Sequence, residues 1–535
     1  MHYRHPQNQV SNRHLHPRRA FVLVLVMTVI VMISLAGFSF VATMRAEHKA
    51  VYLRGTEMQL ENAIASGLER VKIVLELPRS DRFTAGGFYD NPQLFRAVLV
   101  RENKSSFERC RFTLGSPKIL ERRTVGIRYG LIDESAKLHL GEIAEWEKLL
   151  PGTGKKAIMQ LPGMKEEIAD AILDWMDEDS QRRPLGAEAE DYLQLENPYS
   201  PRNAVPVCLE ELLLVKGVTR SLLFGTDYNR NFRIDENERR ITKNDSQSPD
   251  EEQRPWCDYL TLYSAERNES FSGEPRIDLN QKDLAVLYEN LSEILTEPQA
   301  QFIAAYRKFG PYKGNEVGSQ KQEAQFVPSG EGKFKIASVF DLYDVRVQVG
   351  KTKKKKPIVL ESPFQAASGS LGEELSELRE KTTVIPAKSL RGRINLNLAP
   401  VEVLRAIPGM TEELADQIVS GRAQPDLQDD EKYRDSTWIL SDGLVTLAQM
   451  RALDPFLTTH GDVFRAQIIG HFDNSEMVQR VETVIDATHN PARTIYWKDM
   501  KVLGRGFSRE QLRSQSAMSE RSEETLRSRS GKSIR

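Results

Sequence analysis

A chain of 535 residues with 74 Lys and Arg against 76 Asp and Glu has a formal net charge of −2, which excludes both a global basic field for nucleic acid and an acidic tail. Its cysteines, Cys110, Cys208 and Cys257, are widely spaced without any C-x-x-C, which excludes a disulfide framework and a thiolate zinc site. The length beyond Pro78 is enough for two or three domains, so several lobes are expected.

Residues 20 to 42, AFVLVLVMTVIVMISLAGFSFVA, form an uncharged apolar run directly after Arg18-Arg19. At about 23 residues the run can cross a bilayer once, and it is too long for the h-region of a secretory signal. It reads as a retained anchor. Arg4, Arg13, Arg18 and Arg19 precede it with no acid before Glu47, so the positive-inside rule places the short N-terminus in the cytoplasm and the bulk outside. Leu53, Leu60, Ile64, Leu68, Val71 and Leu75 then continue at helical spacings up to Pro78. One helix of roughly 55 residues is implied, transmembrane first and amphipathic after.

A basic leader, an apolar half-helix and an amphipathic half-helix on a globular domain resemble type IV pilin-like proteins. The resemblance implies cleavage by prepilin peptidase between Ala20 and Phe21 and methylation of the new Phe21 amine. Two residues depart from the pilin pattern, Ala20 where Gly is usual and Leu25 where the mature chain usually has Glu at position five. The K-type minor pseudopilins of type II secretion also lack that Glu and are unusually large.

Strands fit residues 111 to 115 and 123 to 132, and the neighbourhood of Tyr259 to Tyr263. Between them lies a repeat. Leu161-Pro-Gly-Met-Lys-Glu-Glu-Ile-Ala-Asp-Ala-Ile172 recurs as Ile407-Pro-Gly-Met-Thr-Glu-Glu-Leu-Ala-Asp-Gln-Ile418, each after a short alternating segment, Lys137 to Leu140 or Ile394 to Asn397. Gly163 and Gly409 permit a tight turn between two helices, and Ile168, Ile172, Leu414 and Ile418 mark the buried face of the second helix. These are helix-hairpin-helix units. Leu212 to Leu223, turning at Gly217, reads as another, and a degenerate copy is expected to begin at Ile277-Asp-Leu-Asn280. Hairpins that grip DNA use a Gly-x-Gly turn ringed by Lys and Arg. Here Lys165 or Thr411 replaces the second Gly, and Asp174 to Asp179 follow, so packing or protein contact is the better reading.

The segment from Ala171 to Leu195, followed by the Glu211 to Gly217 hairpin, resembles general secretion pathway protein K, the K-type minor pseudopilin. Asp174, Trp175, Asp177, Asp179, Gly186, Ala187, Glu188 and Tyr192 stand at the positions of that family's D-W-x-D-x-D, G-A-E and Y pattern. With the anchor, the resemblance covers roughly residues 18 to 225 and 390 to 425, in a long, divergent form. The acidic residues Asp174, Asp177, Asp179 and Glu188 are equally compatible with a solvated helix end and with a metal or acidic partner site.

Asp227-Tyr-Asn-Arg-Asn-Phe-Arg-Ile-Asp-Glu-Asn-Glu238 has the register of an EF-hand calcium loop. Asp227, Asn229 and Asn231 would each give an oxygen, Arg233 its backbone carbonyl, Asp235 a direct or water-mediated contact and Glu238 a bidentate carboxylate. Phe232 occupies the sharp-turn position that favours Gly, and the alternative is an Asx-rich turn without metal. Calcium is the cofactor expected.

Polar stretches at 242 to 255, 310 to 333, 346 to 375 and 424 to 436 read as loops or mobile arms, the third holding Lys353 to Lys356. That lysine run reads as solvated, with lipid headgroups as the sharper alternative. From Phe456 to Phe507 alternation returns, in Val463 to Ile469, Val481 to Ile485 and Arg493 to Trp497, as in a small antiparallel sheet. The tail beyond about 508 is too polar to offset its ordering entropy.

The fold class expected is therefore α+β, a long pilin-like helix on a multi-lobed domain with helix-hairpin-helix inserts and antiparallel sheets. The division expected is a leader at 1–20, the helix at 21–78, a pilin-like region at 79–140, a helical domain with the calcium loop at 141–240, an insertion-rich region at 241–390, a second hairpin domain at 391–455, a β region at 456–507 and a disordered tail at 508–535. Neither H-E-x-x-H nor G-x-S-x-G occurs, Gly350-Lys-Thr352 lacks the first Gly of a phosphate loop, and His139 and His471 read as tolerated strand residues, so no enzyme is expected. The resemblance implies a minor pseudopilin of the inner membrane, at the tip of a periplasmic pseudopilus. Its partners would be other pseudopilins, prepilin peptidase, and the secretin or exported protein, with no nucleic acid. The alternative is a membrane-anchored DNA receptor for uptake.

Overall fold

Between Pro17 and Pro78 the chain contains no proline, and in the computed structural model a single helix, α1, runs unbroken over Pro17–Glu76. The structure describes residues 17–103, 108–120, 123–243, 254–314, 326–351, 357–366, 371–422 and 431–513. The chain divides at Asn62/Ala63 into two compact units. In the first, the apolar side chains from Phe21 to Val41 are exposed, and the hydroxyls of Thr28 and Thr43 donate back to the carbonyls of Val24 and Ser39, at 2.8 and 2.9 Å. Those bonds satisfy polar groups inside the helix itself, as a lipid environment requires.

In the second unit, Ile64, Val71 and Leu75 of α1 are fully buried on one face of a seven-stranded sheet. Gly67 makes the close approach possible, because a Cβ there would lie 2.9 Å from Ile468 and 3.0 Å from Phe112. Arg82 closes the helix by donating to the terminal carbonyls of Leu75 (2.6 Å) and Leu77 (2.8 Å) while pairing with buried Asp462 at 2.7 Å.

The sheet comprises β1 (Val98–Arg101), β2 (Cys110–Leu120), β3 (Arg123–Arg128), β4 (Ile132–Asp133), β5 (Val463–Phe472), β6 (Val478–Asp486) and β7 (Arg493–Asp499). Its main order is β1-β2-β5-β6-β7, all antiparallel, with β3 on β2 and β4 on β5. Two groups of strands expected as separate pieces are thus one sheet. The strands around 111 to 132 and those beyond 463 read as distinct regions because sequence patterning reports local period, whereas Ile468↔Leu114 is a pairing across the whole insertion. The strand expected over 123 to 132 is broken at Gly130, where a Cβ would lie 2.1 Å from the Tyr89 carbonyl.

The described residues between β4 and β5 form three helical lobes on one continuous apolar core. Each lobe is closed by a two-residue parallel ladder: Leu138-His139 with Leu260-Thr261, Ile277-Asp278 with Thr382-Thr383, and Ile394-Asn395 with Leu457-Thr458. The first and third contain the repeated hairpins. The second fills the region expected to be dominated by insertions, with helices Leu284–Ser292 and Glu297–Phe309 after the Ile277 motif.

Two expectations are corrected here. Residues 346 to 375, read as arms, include an antiparallel hairpin, Arg346–Lys351 with Pro357–Glu361, in which Val347 is fully buried; its period-two apolar residues outweigh the flanking lysines, while Lys353 to Lys356 lie outside the described residues. The tail does not lose order at 508. Arg509–Leu512 is a short helix whose Leu512 is buried, the Gln511 carbonyl accepts from the Tyr129 hydroxyl at 2.6 Å, and residues 514–535 lie outside the description.

Candidate functional site

The twelve-residue loop starting at Asp227 sits between helix Arg220–Phe224 and helix Glu236–Lys243, with Gly225 at φ +71° making the exit from the first. Asp227 turns inward. Its carboxylate accepts from the backbone N–H of Asn231 (3.1 Å) and of Phe232 (2.7 Å), which winds the first half of the loop around it. Glu238, buried at the start of the outgoing helix, accepts from the N–H of Asn229 (3.0 Å) and of Asp235 (2.9 Å) and so closes the loop. The Asp235 carboxylate gathers the side-chain amides of Asn229 (2.8 Å) and Asn231 (3.0 Å). Arg233 stays exposed, its N–H on the Asn231 oxygen. Phe232 adopts φ +67° at the position where Gly was expected, and its ring packs 5.8 Å from Phe507.

The donor set of this loop fits a calcium ion. Burial, with the Glu238 charge beside it, pushes the Asp227 carboxyl up to about 6, although the Arg480 guanidinium is close enough to interact with it. The Asn229 side-chain oxygen is buried without a partner. The loop is also pinned to the sheet. Arg480 on β6 donates to the carbonyls of Asn229 and Arg230, Gln467 on β5 donates to the Arg230 carbonyl (2.9 Å), and Arg230 pairs with Glu482 on β6 at 2.9 Å. Asn231 donates to the Gly506 carbonyl at 3.0 Å. None of these contacts is signalled locally in the sequence, since Arg480 and Arg230 stand 250 residues apart.

Asp177, Asp179 and Glu188 bring carboxylate oxygens within 4.8 Å of one another. One Asp177 oxygen and both Glu188 oxygens are buried without a hydrogen-bond partner, and burial pushes both carboxyls up from their ordinary range. That chemistry fits a cation. Asp174, expected as a fourth member, shares Arg183 with Asp177: the guanidinium reaches Asp174 at 2.7 Å and Asp177 at 2.5 Å, and the Arg183 backbone N–H donates to Asp174 at 3.2 Å. Gly186 is required beside it, because a Cβ would stand 1.9 Å from an Asp174 oxygen. The signal for Arg183 was its place nine residues after Asp174 within the same motif.

The three glycine turns all take positive φ, +68° at Gly163, +84° at Gly217 and +86° at Gly409. They join Thr153–Ile158 to Glu166–Met176, Leu209–Leu214 to Arg220–Phe224, and Val401–Arg405 to Glu412–Gly421. Gly217 lies against Ile168, so the first two hairpins pack on each other. Each second helix of the repeated pair begins with two glutamates, Glu166-Glu167 or Glu412-Glu413, which set negative charge where a phosphate would bind. At the other end of the chain, Ala20 and Phe21 lie inside α1, with Phe21 exposed, and Phe21–Glu76 contains the stretch long and apolar enough to cross a membrane.

Residues 145–224 match the family described as Type II secretion system (T2SS), protein K. That segment holds the first hairpin, the acidic cluster and the Gly217 turn. Among solved structures, the chain is similar to the GspK-GspI-GspJ complex of the enterotoxigenic Escherichia coli Type 2 Secretion System, at 10% identity and TM-score 0.34, covering 85% of this chain and 99% of that one. No curated protein matches the chain as a relative.

Proposed function

We propose that this chain, which carries the type II secretion system protein K segment at 145–224, works as a minor pseudopilin that caps or initiates a periplasmic pseudopilus for protein export. The observation that carries the reading is α1, one unbroken helix whose first part is apolar all round and whose last turns bury Ile64, Val71 and Leu75 on the sheet. Such a helix serves twice, crossing the inner membrane singly before assembly and joining a bundle of related helices afterwards. Leu25 leaves no carboxylate for the terminal amine of a neighbour, which suits a terminal subunit. The three lobes then stand in the periplasm, available to other pseudopilins, secretin or cargo. The role is structural, with prepilin peptidase acting on the chain between Ala20 and Phe21. Mass spectrometry of the mature N-terminus tests this: a methylated Phe21 start is expected, and an intact leader in cells containing the peptidase overturns it.

Calcium belongs to the same proposal. Asp227, Asn229, Asn231, Arg233 through its carbonyl, Asp235 and Glu238 would hold one ion, and Asp177, Asp179 and Glu188 a second. The ion would neutralise carboxylates already gathered, and because the first loop is fastened to β5 and β6, its chemistry is structural reinforcement. Calorimetry on the detergent-solubilised chain is expected to show binding near 10⁻⁵ to 10⁻³ M, the range from weak sensors to extracellular modules. The heat should fall in Asp227→Ala with Glu238→Ala; no heat or melting shift at millimolar calcium overturns it.

A further inference from the structure

Where α1 ends, the segment Arg79 to Tyr89 meets the third lobe and the Phe271 turn around a cavity of about 160 Å³. Its walls are aromatic. Phe83 and Phe271 stand edge to face at 6.2 Å, and Phe88 packs on Phe464 at 5.7 Å. Arg434 lies over both of the first two rings, with its guanidinium carbon 4.5 Å from the Phe271 centroid and 5.9 Å from that of Phe83.

The charges in these walls do not balance. Arg82 is consumed by Asp462 at 2.7 Å, whereas Arg79 donates to the Glu269 carbonyl at 2.8 Å and feels Asp462, Glu380 and Glu266 only from beyond ion-pair distance among the described residues. Among the described residues Arg434 has only Glu431 as an ion-pair partner, at 3.7 Å on a largely solvated side chain, and its Nε is buried without a hydrogen-bond partner. The one acid in the walls, Asp133, is engaged by the Asn395 amide at 2.8 Å and the Ser135 N–H at 2.8 Å, and burial pushes its carboxyl up to about 6. Asn397 is 3% exposed. Its amide nitrogen donates to the Tyr433 carbonyl at 2.8 Å, which leaves its oxygen buried and unpartnered at the cavity.

Two guanidiniums with no carboxylate at hydrogen-bond distance among the described residues, one unpaired amide oxygen and an aromatic lining ask for an occupant with a carboxylate, an adjacent N–H and an apolar side chain. We propose that this cavity receives the C-terminal residue of a partner polypeptide ending in an apolar side chain. The terminal carboxylate meets Arg79 and Arg434, its peptide N–H donates to the Asn397 oxygen, and the side chain lies between Phe83, Phe88 and Phe271. An internal acidic residue supplies the carboxylate without placing the N–H and side chain on the same carbon, and a free inorganic anion supplies neither. This assignment does not depend on the chain being a pseudopilin.

The test uses the full chain in detergent, titrated calorimetrically with N-acetyl-phenylalanine, its C-terminal amide, acetate and inorganic phosphate. Saturable binding is expected for N-acetyl-phenylalanine, with the amide and both small anions at least about tenfold weaker, roughly 1.4 kcal/mol. Arg434→Gln, at a half-buried side chain, should weaken it by a similar factor without moving the melting temperature, and Arg79→Gln should do the same. Equal binding of the amide would make this an apolar cavity alone. Equal binding of phosphate or acetate would make it a simple anion site, and no saturation by any probe would leave it holding water; each of these overturns the proposal.

Discussion

His471 stands on β5 with its ring 3.0 Å from the Thr113 hydroxyl, buried between β2 and the lobe side of the sheet. Burial lowers its pKa from 6.5 to about 4. A histidine held neutral in the fold takes up its proton on unfolding, so its contribution is fully present above pH 6.5 and is lost as pH falls toward 4. The expected loss is about 3 kcal/mol across that window. His471→Gln, which keeps a partner for Thr113, should flatten this part of the stability curve in denaturant melts at stepped pH. Phe232 poses the opposite problem, a strained backbone retained for its packing. Phe232→Gly removes a cost of about 1–3 kcal/mol from the loop. It also deletes the contact with Phe507. Calcium affinity should rise while hydrogen exchange in residues 504–513 quickens, a split that calorimetry and exchange together would read. The strain at Phe232 was legible from loop position alone; the compensating ring was not, because Phe507 is 275 residues away.

The helical hairpins are where sequence pattern and structure agree most closely. Ile172 and Ile418 are 1% and 0% exposed, at one register of the repeat, whereas Lys165 is exposed with no side-chain cap bond. Truncating either isoleucine to Ala should cost about 2–5 kcal/mol. Lys165→Ala should leave the melting temperature unchanged, and a large effect on partner binding from that variant would make the turn a contact surface. What pattern could not show is how each lobe is shut. The closing strands, Leu260-Thr261, Thr382-Thr383 and Leu457-Thr458, are two residues long, too short for any period. Their threonine hydroxyls bond back into the fold, Thr261 to Glu134 and Thr458 to Glu266, while Thr383 accepts from Asn268 at 3.2 Å. Each such bond joins residues more than a hundred positions apart, so no window of sequence contains both partners.

Across the whole molecule, the proposed role depends first on α1. Ala20→Arg should block maturation while leaving the lobes folded, with the unprocessed chain visible by mass; normal processing of that variant would count against the pilin reading of the N-terminus. The sequence by itself determined the features whose physics is local. An apolar run of about 23 residues can be recognised without a fold, as can a Gly at positive φ between two periodic helices, because each depends on neighbours along the chain. Only the tertiary structure decided that Arg183 bridges Asp174 and Asp177, that the strands before and after the lobes are one sheet, and that Arg79, Asn397 and Arg434 share a cavity. Those outcomes follow from burial and long-range pairing: a charge takes the partner that space provides once water is excluded, and a strand takes the edge that the folded insertion leaves open.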